Sequence, residues 1–347
     1  MSKNMVSKNV YIDPSYEAFY GDKLFDLSNP NLNRDDQLLP FVRMRDEAAK
    51  SGMTVKTADF LSAESSSGKG GDYYSMGILP DYESLKAKGV TAQAYILLEP
   101  PVVAPKFYQN LPSLTANFKS VYVHNTHGDG YSLEGVRKEV LKKIYWPLPY
   151  KGVLEKFWNR RERKSRIVVI NGHHKPISSK NELYSKRIEA IAALEKYDIV
   201  DLFGRGWDKW LTRCSLWLPY LLNRSALLKA YRGACGSKYE TLSEYNFCLC
   251  FENMKMSGYI TEKIFDCLYA GTIPLYLGAP DIEKYIPTEA FVDCRKFSNW
   301  NEMLNFVRAM TPEQIQSMRE AGRAFFESER ARPYYHSLEN IIGAKGE

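Results

Sequence analysis

The sequence predicts an α/β protein with two lobes, and three observations support this prediction. Short apolar strands alternate with helical segments in both halves of the chain, which favours mostly parallel sheets. The length of 347 residues suits about two domains of ~150 residues each. Between the halves lie "YWPLPY" (145–150) and a basic run (160–166), which interrupt the alternation. We therefore expect two Rossmann-like lobes with a cleft between them, and ligands beyond the carboxyl ends of the strands.

In the first half, glycines and prolines mark the ends of the predicted helices and strands. Residues 36–51 are typical of a helix that ends before Gly52, and "MTVKT" follows as a short strand. A helix over 81–88 precedes the strand "AQAYILLEPP", which two prolines stop, and "FKSVYVHNTHGDGY" is a strand that runs into a glycine-rich loop. The loop "ESSSGKGGD" (64–72) lacks the GxxxxGK[ST] spacing of a phosphate-binding loop, so we expect no such site there.

The second half repeats the alternation. The strand "RIVVIN", a helix over 182–197 and the strand "DIVDLFG" form one βαβ unit. The strand "YNFCLCFEN", a helix over 262–270 and the strand "TIPLYLG" form another. We expect an N-terminal lobe over 1–155, a C-terminal lobe over 165–330 and a helical tail over 331–347.

The composition is that of a globular protein. Hydrophobic residues make up 44% of the chain and charged residues 25%. No run approaches the ~18 to 20 apolar residues that cross a bilayer, and the N-terminus has no apolar stretch of the kind found in signal peptides. The six cysteines form no CxxC pair, so we expect reduced thiols and a cytoplasmic protein.

The net charge of +6 limits which classes of partner we expect. It permits an anionic ligand or an acidic membrane surface, and no RNP-like or helix-turn-helix pattern is visible, so we expect no nucleic acid. The basic run "RRERKSR" (160–166) has two interpretations. It is a solvated segment between the lobes, or it attracts anionic lipid or the ligand. No amphipathic helix stands out.

One stretch of the second half contains residues suited to ligand binding. It is "FENMKMSGYITEKIFDCLYAGTIPLYLGAP" (251–280). Thr261 is a good N-cap residue, which puts Glu262 and Lys263 in the first helical turn. A lysine there is unfavourable for the helix alone, because the N-terminus carries about half a positive charge; a bound anion would explain it. Glu262 could accept hydrogen bonds from two vicinal hydroxyls, as on a ribose. The alternative is an ordinary exposed helix start.

This stretch resembles the signature segment of the α1,3/4-fucosyltransferases, glycosyltransferase family 10. The similarity is dense over about 30 residues and looser elsewhere, in "DLFGRGW", "RIVVIN…SKRIEAI" and "YILLEPP". It covers roughly residues 90–300 and is weak in the first half. Met254 and Ile170 depart from the pattern, and the first 90 residues match nothing in it.

The resemblance implies a GT-B fold and an inverting transfer of L-fucose from GDP-β-L-fucose, with no essential cofactor. By matching position, Asn253 and Tyr259 would bind the donor, Glu262 would hold the ribose, and Lys263 and Arg187 would neutralise the diphosphate. The N-terminal lobe would bind the acceptor and the C-terminal lobe the donor. The acceptor would be a glycan such as lipopolysaccharide O-antigen, with O3 or O4 of a GlcNAc- or Glc-type sugar as the attacking hydroxyl.

The catalytic base of the family would fall on Glu99. The residue itself supports this reading, because it ends the apolar strand "YILLE" and two prolines stiffen the backbone after it. A single displacement needs one base, and a carboxylate near the acceptor hydroxyl can take its proton. The alternative is a surface carboxylate after a strand.

Two histidines share the loop that should open on the same side as Glu99. We expect His124 and His127 to bind the acceptor or to serve the structure, and we expect no metal there. The chain has no D-x-D pair, which suits a transferase that relies on protein cations.

Two alternatives to a fucosyltransferase stay open: a GT-B transferase with another nucleotide sugar, and a nucleotide- or carbohydrate-binding relative without catalysis. Replacement of Glu99 would distinguish the binding protein from the two transferases, because a protein without catalysis would not be affected by the change. A lipid-linked acceptor would place the protein at the periphery of the inner membrane, and the oligomeric state is not encoded in any visible pattern.

Overall fold

The protein consists of two α/β units. The computed structural model describes residues 8–61, 70–178, 180–210 and 212–343. The first unit contains the described residues up to Pro149 together with those from Pro333 onward, and the second is Tyr150–Arg332. The predicted loop 64–72 lies outside the described residues up to position 69.

The first unit is built on a sheet of six parallel strands in the order β2-β1-β3-β4-β5-β6. The strands are β1 (Lys8–Asp13), β2 (Met53–Thr57), β3 (Asp72–Ser75), β4 (Thr91–Ile96), β5 (Ser120–Val123) and β6 (Leu141–Lys143). Alternate residues of β4 enter different cores, Ile96 on one face and Tyr95 on the other. Both faces are therefore covered, as in most parallel sheets.

The two helices predicted for the first half lie where expected, with shorter bounds, whereas helices Pro105–Gln109 and Leu111–Asn117 were not predicted. The described helices are Leu39–Lys50, Tyr82–Ala87, Pro105–Gln109, Leu111–Asn117 and Ser337–Ile342, and helix Arg332–Tyr335 begins at the boundary. β1, β3 and β6 had no counterpart in the prediction, although β1 is an interior strand of the sheet. Its apolar core is only "VYI", which is too short to show a period.

The C-terminal helices differ from the predicted tail. Leu338 and Ile342 join the core that contains Met44 on helix Leu39–Lys50. Arg43 of that helix donates through Nε to Oε1 of the buried Glu339 at 2.6 Å. Residues 333–343 are thus part of the first unit, because their apolar face completes its core.

The second unit has a sheet of five parallel strands in the order β8-β7-β9-β10-β11. The strands are β7 (Lys164–Ile170), β8 (Val200–Phe203), β9 (Tyr245–Phe251), β10 (Ile273–Leu277) and β11 (Val292–Asp293). The described helices are Glu155–Trp158, Tyr184–Glu195, Leu218–Ala230, Lys238–Ser243, Glu262–Ala270, Trp300–Ala309 and Pro312–Glu327. The strand order reverses between β7 and β9, which is where ligands bind in open α/β sheets.

Helix Glu262–Ala270 matches its predicted bounds, and a glycine explains where it ends. Gly271 has φ = 68°, in the left-handed region that closes many helices. A Cβ there would lie 2.9 Å from Cδ1 of Trp158, so a larger residue would meet both backbone strain and a clash.

Most of the basic run 160–166 is exposed, as one interpretation predicts, but Arg163 is held against the unit. Arg163 donates to the carbonyls of Trp158 (3.0 Å), Ala270 (2.9 Å) and Tyr245 (3.2 Å). Burial lowers the pKa of this guanidinium to about 9, helped by neighbouring cations. The rest of the run, from Lys164, is already β7. Arg163 therefore fixes the start of β7 against the rest of the second unit.

Across the described ranges, no helix is both long enough and apolar enough to cross a membrane.

Candidate functional site

The candidate site lies at the carboxyl ends of β7 and β9, where the strand order of the second unit reverses. A cavity of about 60 Å³ opens there. Its polar and charged lining residues are Asn171, Lys238, Glu262, Lys263 and Asp266. Charged side chains and a topological switch point thus coincide, as is typical of ligand sites in this class of fold.

Glu252 organises this edge of the sheet. It follows β9 directly, and its side chain is fully buried. The carboxylate accepts from the backbone N–H of Thr261 (2.9 Å), from the hydroxyl of Thr261 (2.7 Å) and from Nζ of Lys263 (3.3 Å). Burial raises the pKa of Glu252, although Lys263 pulls in the opposite direction. Glu252 is absent from the sequence prediction; the available signal was an acid placed directly after the apolar run "FCLCF".

Thr261 occupies the N-cap position but does not cap the helix. Its backbone is extended, as expected, yet its side chain makes no capping hydrogen bond. The prediction of a capping side chain was wrong, because the hydroxyl donates to Glu252 instead. The helix that begins at Glu262 therefore starts without a side-chain cap, and an uncapped N-terminus favours an anion.

Lys263 already has anionic neighbours in the protein. Its Nζ lies 2.9 Å from Oγ1 of Thr261, 3.3 Å from Oε2 of Glu252 and 3.4 Å from Oε1 of Glu262. A bound anion is therefore not needed to explain a lysine in this helical turn, contrary to the sequence argument. The side chain of Lys263 remains 16% exposed, and that of Glu262 34%, so both reach the cavity.

Glu262 is held in its ionised form. Burial would raise the pKa of Glu262, but Lys263 and Lys238 together keep it below its usual value. Lys238 begins helix Lys238–Ser243 and pairs with Asp266 at 2.5 Å. It is a second cation at the cavity that was not predicted from the sequence. An ionised Glu262 can accept two hydrogen bonds, as the ribose hypothesis requires.

Arg187 lies at the same edge, on helix Tyr184–Glu195. Only 1% of it is exposed, and its Nη2 donates to the carbonyls of Phe251 (2.7 Å) and Glu252 (3.0 Å). Burial lowers the pKa of the guanidinium. Its Nε has no hydrogen-bond partner among the described residues. The structure thus brings Arg187 together with the end of β9, and one of its donors is still unused.

Asn253 and Tyr259 belong to the loop between β9 and the helix. The loop is fastened on two sides: the Asn253 carbonyl accepts from the N–H of Leu183 (3.0 Å), and Gly258 donates to Oδ1 of Asp281 (2.8 Å). Tyr259 is 1% exposed, so its ring packs inside the unit and not on the surface of a covering loop. Asn253 is partly exposed.

Glu99 lies in the first unit, beyond β4. The strand ends at Ile96, so Glu99 is the third residue after it and not its last residue as expected. It is partly exposed, and its backbone carbonyl accepts from the hydroxyl of Tyr108 (3.1 Å). Burial and then the charge of Glu99 raise the pKa of Tyr16, which indicates that the two side chains are neighbours.

His124 holds the segment that leads to Glu99. It is 1% exposed, and its Nε2 is 2.8 Å from the carbonyl oxygen of Leu98. Burial lowers its pKa to about 3, so the ring is neutral. Direct contact with an acceptor does not fit this burial, and of the two predicted roles the structural one applies. His127, in contrast, is exposed in the loop after β5.

A buried carboxylate of the first unit was also missed. Asp13 ends β1 and accepts from the hydroxyls of Tyr20 (2.7 Å) and Tyr73 (2.6 Å). Burial raises the pKa of Asp13, and Asp59 and Glu17 add to this effect, while the two hydroxyls oppose it. In the described ranges, no three His, Cys, Asp or Glu side chains cluster in a way that could hold a metal ion.

Solved structures with the same fold cover nearly the whole chain. A glycosyltransferase from Rickettsia africae ESF-5 has a TM-score of 0.56 at 8% identity, over 97% of this chain and 98% of its own. The sucrose-phosphate synthase from Thermosynechococcus elongatus has a TM-score of 0.56 at 11% identity, over 97% of both chains. At these identities the likeness shows the fold alone, which is the expected α/β GT-B fold.

Sequence relatives cover shorter parts. An alpha-(1,3)-fucosyltransferase, FucT, from Helicobacter pylori is 42% identical over 72 residues, which are 21% of this chain and 15% of the relative. A GDP-fucose protein O-fucosyltransferase 3 from Canis lupus familiaris is 29% identical over 182 residues, which are 51% of this chain and 32% of the relative. The chain thus spans no more than about a third of these relatives.

A family model extends the match across the candidate site. Residues 155–320 match the model described as glycosyltransferase family 10 (fucosyltransferase) C-term. The matched range contains Arg187, Glu252, Glu262 and Lys263, the residues that meet at the switch point. Residues 155–320, just under half of the chain, are thus similar to the C-terminal domain of the fucosyltransferases of glycosyltransferase family 10.

Proposed function

We propose that the protein transfers L-fucose from GDP-β-L-fucose to a glycan hydroxyl, with inversion and without an essential cofactor. The observation that carries this proposal is the cluster of Arg187, Lys263 and Glu262 at the switch point of the matched domain. The relatives point to the donor, since one of them is named for GDP-fucose and the other for fucosyl transfer. The second unit would bind the donor and the first the acceptor.

The contacts of Lys263 suggest how the nucleotide binds. An ammonium group has three donors, and of the three contacts described above the one with Glu262 is the longest, at 3.4 Å. A diphosphate oxygen would replace that contact and leave the Glu262 carboxylate for the ribose hydroxyls. The buried Arg187, which donates to the carbonyls of Phe251 and Glu252, would act on the diphosphate through its charge, and the partly exposed Asn253 would add a polar contact. Tyr259, which is buried, would support the loop from within.

The reaction needs a base and a neutralised leaving group. The acceptor oxygen attacks the anomeric carbon while the bond to the GDP oxygen breaks on the opposite face, and Glu99 takes the hydroxyl proton. Lys263 and Arg187 stabilise the charge that develops on the departing diphosphate. Of the predicted acceptor-binding residues, the exposed His127 could contact the sugar, while the buried His124 keeps Leu98 in place before Glu99.

Binding of GDP to purified variants tests the donor site. Lys263→Ala removes a charge-assisted contact worth about 1.5 to 3 kcal/mol, so the Kd for GDP should rise about 10- to 150-fold. Lys284→Ala is the matched control, because this lysine is exposed in the same unit. Isothermal titration calorimetry with GDP, GMP and UDP gives the three affinities. Wild-type GDP affinity in Lys263→Ala would exclude the site.

Turnover by Glu99→Gln tests the base. The change keeps size and hydrogen bonding but removes the proton acceptor, so transfer should fall about 10²- to 10⁴-fold while GDP affinity stays unchanged. Glu134→Gln, an exposed carboxylate of the same unit, is the control. Full turnover in Glu99→Gln would show that another residue is the base. If the wild-type protein hydrolyses the donor but transfers no fucose, the acceptor used in the assay is the wrong one.

A donor and acceptor screen separates the alternatives. GDP-fucose, GDP-mannose, UDP-galactose and UDP-N-acetylglucosamine are compared for thermal stabilisation and for slow hydrolysis. Acceptors to include are GlcNAc- and Glc-terminated oligosaccharides, lipopolysaccharide O-antigen and a serine/threonine peptide, since one relative is named for protein O-fucosylation. A response to UDP donors would favour the other nucleotide-sugar transferase. Binding of GDP-fucose without hydrolysis or transfer to any acceptor would favour the binding protein.

A further inference from the structure

A cluster of exposed apolar side chains lies in the second unit, away from the switch point. Five large hydrophobic residues between positions 210 and 222 are 48% to 75% exposed. These residues, called the leucine surface below, are Trp210, Leu216, Leu218, Leu221 and Leu222. The described chain has eleven such exposed residues in all, so almost half fall within one short segment. Scattered single exposures are normal, whereas a concentration of this kind marks an interaction surface.

Three of the five residues of the leucine surface lie on one face of helix Leu218–Ala230, and Trp210 and Leu216 precede that helix. The opposite face packs in the core of the unit through Tyr220, Leu227 and Ala230. Leu218, Leu221 and Leu222 have the spacing of neighbours on a helix, so they share the outward face. Trp210 lies beside the same helix, because the Arg224 guanidinium stacks 3.5 Å from the centre of its ring.

Basic residues outnumber acids in the segment that carries the leucine surface. The segment 205–229 contains five basic side chains and a single acid, Asp208. Those basic residues are Arg205, Lys209, Arg213, Arg224 and Lys229. Lys229 pairs with Glu195 at 3.3 Å and Asp198 at 3.7 Å. Arg205, Lys209 and Arg213 are exposed, and none lies within 4.0 Å of a carboxylate among the described residues. Their charge is therefore available to a partner.

We propose that the leucine surface docks the protein on an anionic lipid bilayer. Leucine and tryptophan side chains enter the boundary between headgroups and acyl chains, and lysine and arginine attract anionic headgroups. The charge of the segment disfavours a second copy of the chain as the occupant, since a two-fold contact would bring two basic segments together. This inference is independent of the proposed function, because neither the surface nor its test involves the switch point.

Vesicle flotation with the full chain tests the proposal. The protein is mixed with vesicles of phosphatidylcholine alone or of phosphatidylcholine with 30% phosphatidylglycerol, at 0.1 M and at 1 M NaCl. We expect binding to the anionic vesicles at 0.1 M salt, with much less at 1 M, where the Debye length falls from about 10 Å to about 3 Å. Absence of binding to anionic vesicles, or equal binding to neutral ones, would overturn the proposal.

Two variants assign the binding to this surface. Leu218→Gln/Leu221→Gln/Leu222→Gln should weaken partition more than 100-fold, on the order of the loss of three apolar contacts. Lys209→Gln/Arg213→Gln should weaken it about 30-fold, since each basic residue near the surface contributes about a factor of five. These side chains are exposed, so the variants should keep the thermal midpoint of the wild type, which is checked by circular dichroism.

Matched controls keep the result specific. Leu79→Gln/Ile177→Gln/Phe306→Gln replaces three other exposed apolar residues, and Arg160→Gln/Arg161→Gln neutralises the basic run before β7. Both should bind vesicles like the wild type. Loss of binding in either control, or wild-type binding in either test variant, would contradict the assignment. Self-association of the wild type that the leucine variant abolishes, without any vesicle binding, would replace the lipid surface with a second copy.

Discussion

Each unit has a buried carboxylate at the carboxyl end of a strand, and the two carboxylates have different hydrogen-bond partners. In each sheet the strand order reverses at one point, between β1 and β3 in the first unit and between β7 and β9 in the second. Asp13 ends β1 and is held by two tyrosine hydroxyls. Glu252 follows β9 and is held by a backbone N–H, a hydroxyl and the ammonium group of Lys263.

The charged surroundings of the two carboxylates differ: acids alone affect Asp13, whereas Glu252 has both Lys263 and Glu262 beside it. The charged neighbours that affect Asp13 are acids, Asp59 and Glu17, and both raise its pKa. The nearest charged partner of Glu252 is a lysine, which lowers its pKa against the effect of burial. The same fold therefore provides one edge suited to uncharged polar groups and one suited to anions. This contrast agrees with the proposed division into acceptor-binding and donor-binding units.

Removal of Glu252 should have the largest effect. Glu252→Ala leaves the Lys263 charge and the Thr261 N–H without their buried partner, so the free energy of unfolding should fall by about 3 to 5 kcal/mol. Five of the six tryptophans lie in the second unit, and urea unfolding followed by their fluorescence reports mainly on it. Glu283→Ala, an exposed acid of the same unit, should change stability by less than about 0.5 kcal/mol. Equal effects of the two changes would contradict the role of Glu252.

The neutral His124 of the first unit should make stability depend on pH. Its pKa in the folded protein is about 3, below the value of about 6.5 in an unfolded chain, so the unfolded state binds the proton first. Stability is therefore lost as pH falls below about 6.5, by about 2 kcal/mol between pH 7 and pH 5. His124→Gln should flatten this part of the curve. Urea unfolding at the two pH values, followed by circular dichroism, gives the difference; parallel curves for variant and wild type would refute it.

Replacement of Asp13 should have the smallest effect. Asp13→Asn keeps an acceptor for one tyrosine hydroxyl, and the other hydroxyl can turn, so the cost should be about 1 kcal/mol or less. Because the pKa of Asp13 is raised in the folded protein, its contribution to the free energy of unfolding is present at low pH. That contribution is lost as pH rises through the folded pKa. The variant should lose that dependence. A cost as large as that of Glu252→Ala would remove the distinction between the two edges.

Strongly patterned parts of the second unit could be predicted from the sequence. Helix Glu262–Ala270 has an apolar face, a polar start and Gly271 in the left-handed region after its end, so several local signals agree. Arg187, Glu262 and Lys263 were predicted by resemblance and do meet at one edge.

Features that depend on distant packing could not be predicted. The partner of Lys263 is eleven residues away, across a loop whose path the sequence does not show. The leucine surface was missed because helix Leu218–Ala230 is apolar on both faces, which hides the period that marks a surface helix. His127 and His124 are close in sequence, yet only burial distinguishes the exposed ring from the structural one.

The C-terminal helix that completes the first core also affects the order of synthesis. Arg43 and its partner Glu339 are separated by 296 residues. At about 5 to 20 residues per second, a ribosome makes the second of them roughly 15 to 60 s after the first. The whole of Tyr150–Arg332 is made in that interval. The unit that begins the chain is therefore the last to close its core, and until then the apolar side of helix Leu39–Lys50 lacks Leu338 and Ile342 as neighbours.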